Sequence, residues 1–367
     1  AVNKSAARIL YTFSEEEQDF ICRFAEEHAA SLGKNEIQIQ EMHNIVEGAL
    51  ERVNPAVAKS YRDYRNYKLD FILMMDDVYT KSQAIRYIGD KSNANTDSAL
   101  VATKRSLIFN ELNKELYRKF FMNRNELQAC KDGYIYIHDQ SARLDTMNCC
   151  LFDVAAVLSG GFEMGNVWYN EPKTLDTAFD VMGDIILSTA AQQYGGFTVP
   201  EVDKILAPYA KKSYDRYVEE FMKYSDPSWV GREEKAVERA LDKVRREYDQ
   251  GWQGIEYKLN TVGSSRGDYP FVTVTLGLGT GQFEKMCSMS LLAVHKGGQG
   301  KAGHKKPVLF PKIVFLYDEN IHGKGKISED VFEAGVDCSA KTMYPDWLSM
   351  SGAGYISSMY KKYKKVI

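Results

Sequence analysis

Two adjacent thiols, Cys149 and Cys150, stand in the apolar run 147–154, whose only polar members are Asn148 and Asp153. His138 and Asp139 precede them. Thiols in a buried strand beside a His and acids suit redox or radical chemistry. The same pair suits plain packing, because free Cys is among the most buried residue types. A second group is the polar turn Ser264, Ser265, Arg266, Gly267 and Asp268, at the head of the apolar run 271–278. Its hydroxyls, backbone N–H groups and guanidinium can hold phosphate or ribose. It reads equally as a surface loop in which Arg266 pairs with Asp268. A third is the glycine-rich basic loop 297–307, GGQGKAGHKKP, in which Lys301, Lys305 and Lys306 offer a triphosphate contact or a solvated basic surface. It is not a P-loop, since no Ser or Thr follows the Lys and no strand leads in. The loop 160–166, GGFEMGN, reads as a phosphate approach or a plain turn. His138, His295, His304 and His322 lack metal-ligand spacing, so no metal site is expected.

The elements that must position these groups follow from period and caps. Residues 1–80 read as helices, with Ser14 and Glu17 as a capping box and Asn54-Pro55 opening a further helix. Val57, Tyr61, Tyr64 and Tyr67 make a stripe on that helix, read as packing. Helices are expected over 97–122, 123–131, 172–193, 200–224, 229–259, 282–296 and 329–341. Glu238, Asp242 and Arg245 mark a solvated face. Strands are expected over 134–137, 147–154, 271–278 and 308–317, the second buried on both faces. Strands alternating with helices imply an α/β sheet.

The totals set bounds. The 367 residues can bury a large core, and 44% hydrophobic with 26% charged is an ordinary globular composition. A formal charge of -3 argues against nucleic-acid or membrane-surface partners. No apolar run is long enough for a membrane span. The six cysteines include no CxxC pair, which disfavours a disulfide scaffold and points to a reducing cytoplasm.

In order along the chain, several segments resemble the anaerobic (class III, glycyl-radical) ribonucleoside-triphosphate reductases. The corner Tyr136-Ile-His138-Asp139 is similar to the family's His-x-His-Asp, with Tyr136 in place of the first His, and Asn148-Cys149 is similar to its Asn-Cys strand. The run 160–166, then 192–209 (QQYGGFTVPEVDKILAPY), 260–281 (NTVGSSRGDYPFVTVTLGLGTG), the strand VLFPKIVFLYDENIHGKG and the segment DCSAKTMYPDWLS all have counterparts. The helices of 36–68 resemble the last part of an ATP-cone, without its opening β-hairpin.

The resemblance implies an α/β chain in two domains: partial ATP-cone helices over 1–70, then over 71–367 the first half of a ten-stranded α/β barrel. It implies reduction of a ribonucleoside triphosphate at C2′, with Cys149 supplying a reducing equivalent from a buried strand, its thiol facing the barrel interior and Cys150 facing away. Substrate contacts are expected at His138 and Asn148 and, from the residue types of their loops, at Ser264, Ser265 and Arg266, with phosphate contacts at Lys301 and Lys305. The implied cofactor chemistry is a glycyl radical, installed by a radical-SAM activating enzyme carrying [4Fe-4S] and S-adenosylmethionine and held outside this chain. ATP and deoxynucleotides are the implied effectors, formate or a dithiol protein the reductant. The implied oligomer is a homodimer, for which the stripe Leu175, Phe179, Met182 and Ile186 is the expected surface. The family's radical-bearing loops are expected beyond Ile367, so this chain is expected to be the N-terminal half of a reductase, inactive alone. The alternatives are a non-catalytic nucleotide-sensing or dimerisation fragment, and another glycyl-radical enzyme such as a formate-lyase.

Overall fold

The computed structural model describes residues 1–87, 99–143, 147–263 and 267–363. Ser264, Ser265 and Arg266 lie outside the described residues. The chain divides into two compact units, Ala1–Ala84 and Ile85–Ile367.

The first unit is helical: α1 (Val2–Arg8), α2 (Glu15–Ser31), α3 (Ile39–Val53) and the start of α4 (Pro55–Tyr87). Its caps are those read from sequence. The Ser14 hydroxyl accepts from Glu17 N at 3.2 Å while the Glu17 carboxylate accepts from Ser14 N at 2.8 Å. The Asn54 side chain accepts from Ala56 N at 2.9 Å, covering a donor that a new helix leaves unpaired. Ile21, Phe24, Leu50, Val57, Ala58 and Tyr61 form the core. The tyrosine stripe is packing at its buried end, where the Tyr61 hydroxyl meets His43 Nδ1 at 2.6 Å. Burial, with Arg65 and Lys68 nearby, lowers the His43 pKa.

The second unit is mixed α/β. Its helices are the end of α4, α5 (Val101–Phe121), α6 (Arg124–Lys131), α7 (Val154–Leu158), α8 (Leu175–Ala190), α9 (Val202–Tyr224), α10 (Arg232–Thr261), α11 (Gln282–Gly297), α12 (Glu329–Thr342) and α13 (Tyr355–Tyr363). Strands β1 (Cys150–Leu151), β4 (Phe197–Val199), β5 (Val272–Leu276), β6 (Lys312–Tyr317) and β7 (Asp346–Ser349) form one parallel sheet in that order. The strands β2 (Phe162–Met164) and β3 (Val167–Tyr169) form a separate antiparallel hairpin.

Alternation gives the sheet two unlike faces. Phe197, Val199, Val272, Val274, Leu276, Ile313 and Phe315 enter the main core with Leu175, Phe179, Trp252 and Leu291 from the helices. The intervening residues Thr198, Thr273, Lys312 and Val314 are only half-buried. Toward the strand ends of that second face, Leu316 and Met350 pack with Leu348, Ile356 and Tyr360, so α13 covers part of it. On the same face, just before β5, Phe271 is exposed.

Several expectations are corrected. Residues 134–137 form no strand and pair with none among the described residues; Tyr134 and Tyr136 are 83% and 86% exposed. Local β preference is too weak without a partner strand, and Tyr134 N is spent on Ala129 O at the end of α6. The run 147–154 is not one buried strand. Met147 makes only an isolated parallel bridge to Gln193 and the strand proper is limited to β1, after which Asp153 accepts from Ala156 N at 3.1 Å and caps α7. The loop 160–166 is a hairpin turning at Gly165, whose φ of +63° favours glycine. The DCSAKTMYPDWLS segment leaves helix at Thr342 and becomes β7.

The stripe proposed for self-association is also corrected. Leu175, Phe179, Met182 and Ile186 are buried within their own chain. The Phe179 ring meets Trp252 edge-on, centroids 5.1 Å apart, in a notch that Gly251 leaves open on α10. That stripe is a core seam and offers nothing to a second copy.

Candidate active site

Cys149 sits one residue before β1 and is exposed; Cys150 opens the strand and is half-buried. The expectation of a buried strand at Cys149 is therefore wrong. β1 is an edge strand, and the exposed Cys149 leaves its side of the sheet away from the main core open at that position. The two thiols do separate by face. Cys150 packs on the main core and donates to Gln193 Oε1 at 3.0 Å. Burial raises its pKa, and the Gln193 contact offsets part of the rise. Cys149 follows the opposite parity and accepts from Gly196 N–H at 3.3 Å.

The segment before β4 holds this cysteine. Tyr194 N donates to Met147 O at 3.0 Å, Gly195 N to Asn148 O at 2.5 Å and Cys150 N to Gly196 O at 3.0 Å. Gly195 is required by space rather than by φ. A Cβ there would come within 2.6 Å of Cys149 Sγ and 2.5 Å of Asn148 Oδ1. In Gly195→Ala, either the cysteine or the backbone must shift. We expect a loss of about 1–3 kcal/mol in urea unfolding and a changed alkylation rate at Cys149. An unchanged rate would mean that the Cys149–Gly195 contact is not held in solution.

His138 lies in a turn with its side chain 72% exposed, Nδ1 2.5 Å from Asp139 Oδ2. Asp139 takes a left-handed φ of +54° and leads into the short 3-10 turn Gln140–Ala142. Two contacts tie this turn down: Ser141 Oγ to Tyr194 OH at 3.4 Å, and Arg118 Nε to Gln140 Oε1 at 2.8 Å. Tyr194 thus joins the His138 turn to the Asn148–Cys149 segment, bringing three of the expected residues into one region.

Beyond the undescribed triplet, Gly267 O accepts from Thr103 Oγ1 at 2.6 Å, fastening the turn to α5. Lys301 and Lys305 are exposed. Their loop closes through a Gln299–Lys306 bridge and is anchored to α10, where the Gln299 side chain donates to the buried Glu256 carboxylate, which His295 Nδ1 also meets at 2.9 Å. Among the described residues no three His, Cys, Asp or Glu side chains gather to hold a metal.

Sequence reasoning missed two features of this region. Phe271 stands beside Gly196, and the Lys312 ammonium lies 4.5 Å over its ring. A lysine opening an otherwise apolar strand was the available signal. Asp203 at the start of α9 is fully buried and accepts from Gly277 N at 2.9 Å, Gly279 N at 3.1 Å and Lys204 N at 3.0 Å. It joins the end of β5 to the helix that follows β4.

The family model described as anaerobic ribonucleoside-triphosphate reductase matches residues 92–366. The chain belongs to this family. The ATP cone domain model matches residues 1–70. The anaerobic ribonucleoside-triphosphate reductase of Escherichia coli K12 is 30% identical over 339 residues, covering 90% of this chain and 46% of that protein. The one from Enterobacteria phage T4 is 34% identical over 260 residues, 70% of this chain and 41% of that protein. The chain spans about half the length of the curated reductases it matches. Among solved structures, the Thermotoga maritima anaerobic ribonucleotide reductase in complex with dATP and CTP covers 78% of this chain at 14% identity and a TM-score of 0.48, with 50% of that structure matched. No helix among the described residues is long and apolar enough to cross a membrane.

Proposed function

We propose that this chain carries the Cys149-bearing half of an anaerobic reductase that converts ribonucleoside triphosphates to 2′-deoxyribonucleoside triphosphates. The observation that carries the reading is the match to this family over 92–366, together with Cys149, next to Asn148, held on the open face of a parallel sheet. In this reading the parallel sheet is the first half of a ten-stranded barrel. Residues 1–70 are a partial ATP-cone, a site class for ATP and deoxynucleotide effectors, and 71–367 the barrel half.

The glycyl radical that an activating enzyme with [4Fe-4S] and S-adenosylmethionine installs would supply, through a cysteine thiyl radical outside this chain, the hydrogen abstraction at C3′. This chain's residues do the rest of what is assigned to it. Cys149 gives its thiol hydrogen atom to C2′ after the 2′-hydroxyl has left as water; formate or a dithiol supplies the second electron and the proton carried off in that water, and the hydrogen taken from C3′ is returned there. With Gly196 N–H donating to Sγ, the thiol hydrogen is left to point into the open face, toward the reactant. Asn148 and His138 contact the substrate from the same region. Ser264, Ser265 and Arg266 take ribose or phosphate, and Lys301 and Lys305 stand farther out as phosphate contacts. The protein acts as a homodimer in the cytoplasm, through a surface other than the buried α8 seam.

Because the chain spans about half of its relatives, turnover is expected to need the other half. The 367-residue chain is incubated anaerobically with activating enzyme, S-adenosylmethionine, formate or dithiol and labelled ribonucleoside triphosphate, with and without a polypeptide supplying the rest of the reductase. Labelled deoxynucleotide is expected only with both. Product from the chain alone would overturn the half-site reading; no product with both, under conditions where an intact relative turns over, would overturn the function.

A further inference from the structure

Four positions share the open face of the sheet: Cys149, Gly196 and Phe271 each stand one residue before the paired Cys150, Phe197 and Val272, and Lys312 opens β6 opposite Thr273, two residues farther on. Parity places them on one side, because Cys150, Phe197, Val272 and Ile313 all enter the main core. Gly196 has no side chain, and a Cβ there would already press the Phe271 ring at 3.2 Å. The floor between the thiol and the ring is therefore bare backbone. Phe271 forms the next stretch of floor, backed by Phe310 with centroids 5.4 Å apart. Lys312 leans back from β6 and sets its ammonium over that ring. The result is a shallow trough with a thiol at one end and a cation at the other. The ammonium lies over a ring carried by the segment entering β5, two strand spacings of about 4.8 Å from β1, so the two ends stand roughly 10 Å apart.

Lys312 is half-buried at the start of a central strand. Among the described residues it has no carboxylate partner; its contact is the π-face of Phe271. A surface lysine without a partner is ordinary. One held against an aromatic floor, partly out of water and aimed along a trough, is poised for an anion. The distance also fits. A ribose whose C2′ touches the thiol extends its 5′-phosphate by about the length of the trough.

We propose that Lys312 is an oxyanion-binding residue that positions the reactant against Cys149, taking a phosphate of the nucleotide. The assignment of the ligand rests on the function proposed above; the assignment of an anion site beside Cys149 does not.

The test uses the 367-residue chain and needs no turnover. Alkylation of Cys149 is followed by peptide mass mapping with iodoacetate, which is anionic, and iodoacetamide, which is neutral. Exposed Cys22 serves as an internal reference. At low ionic strength a cation about 10 Å away raises the local concentration of an anion about two- to threefold. The iodoacetate-to-iodoacetamide ratio at Cys149 is expected to fall by that factor in Lys312→Met and to recover in Lys312→Arg, with Cys22 unchanged. Should Lys312→Met misfold, Lys312→Gln and a salt titration of the wild type take its place; added salt is expected to erase the preference at Cys149 alone. A ratio that neither substitution nor salt moves overturns the proposal. Ribonucleoside triphosphates, but not the matching ribonucleosides, are expected to slow iodoacetamide at Cys149, and Lys312→Met to lose that protection. Charge steering without triphosphate protection would keep the anion site and overturn the nucleotide reading of this face.

Discussion

Cys149→Ser, placed in the assembled two-half enzyme, is expected to lower deoxynucleotide formation by roughly 10³-fold or more while leaving triphosphate binding within about twofold. The reason is bond strength. A thiol gives up a hydrogen atom to a carbon-centred radical readily, and an alcohol does not. Serine keeps the size of the side chain and can still accept from Gly196 N–H, so the backbone around Gly195 has no reason to move. The paired control is Cys150→Ser. That thiol lies on the core side with Gln193 as its acceptor, a bond that a hydroxyl can also make. Its substitution is expected to cost no more than about 1–2 kcal/mol of stability and to leave turnover largely intact. Equal losses from both substitutions would remove the distinction between the faces, and retained turnover in Cys149→Ser would end its assigned role.

Asp203→Ala is expected to destabilise the second unit by about 3–5 kcal/mol, read as a shift in urea midpoint at constant slope. Asp203 has no exposure to water, and its carboxylate receives three backbone N–H groups and, at 3.4 Å, the Ser288 hydroxyl. Alanine would leave all of these donors facing apolar surroundings. Burial is the main influence on its ionisation and raises the pKa from the ordinary 3.8, with the N–H groups of Gly277, Gly279 and Lys204 opposing it. The sign follows. Stability contributed by Asp203 is fully present below the unfolded value and is lost as pH rises through the raised folded one. Asp203→Asn removes this titration, so its cost relative to wild type should be largest at acid pH and shrink as pH rises. A cost that grows with pH would show that the donors outweigh burial.

The helices were legible because their burial repeats at helical spacing. In α10, Ala236, Ala240, Val244, Tyr248, Trp252 and Leu259 are buried, while Glu238, Asp242 and Arg245 face water as their spacing implied. The central strands β5 and β6 were legible because both carry runs of β-branched and aromatic residues. β1, β4 and β7 were missed or misjudged, since two to four paired residues are too few to show alternation. Cys149 and Asn148 could be singled out through the likeness of their segment to one family. Their exposure could not, because it depends on what covers one face of a sheet. Gly195 follows the helix expected over 172–193, where a glycine is ordinary. Its need for a missing Cβ arises from a chain segment some 50 residues earlier, which no local pattern encodes.

The order β1, β4, β5, β6, β7 has a consequence for how the protein is made. Within this sheet each strand pairs with the one translated before it, and none waits for a partner still to be synthesised. A ribosome moving along the message would therefore extend the sheet one strand at a time, always from the newest edge. Parallel pairing is intrinsically slow when its partners lie far apart in sequence, and unpaired edges invite aggregation. Here the separation is limited to one intervening crossover per step, so a nascent chain exposes a single growing edge and its earlier strands are already paired along it.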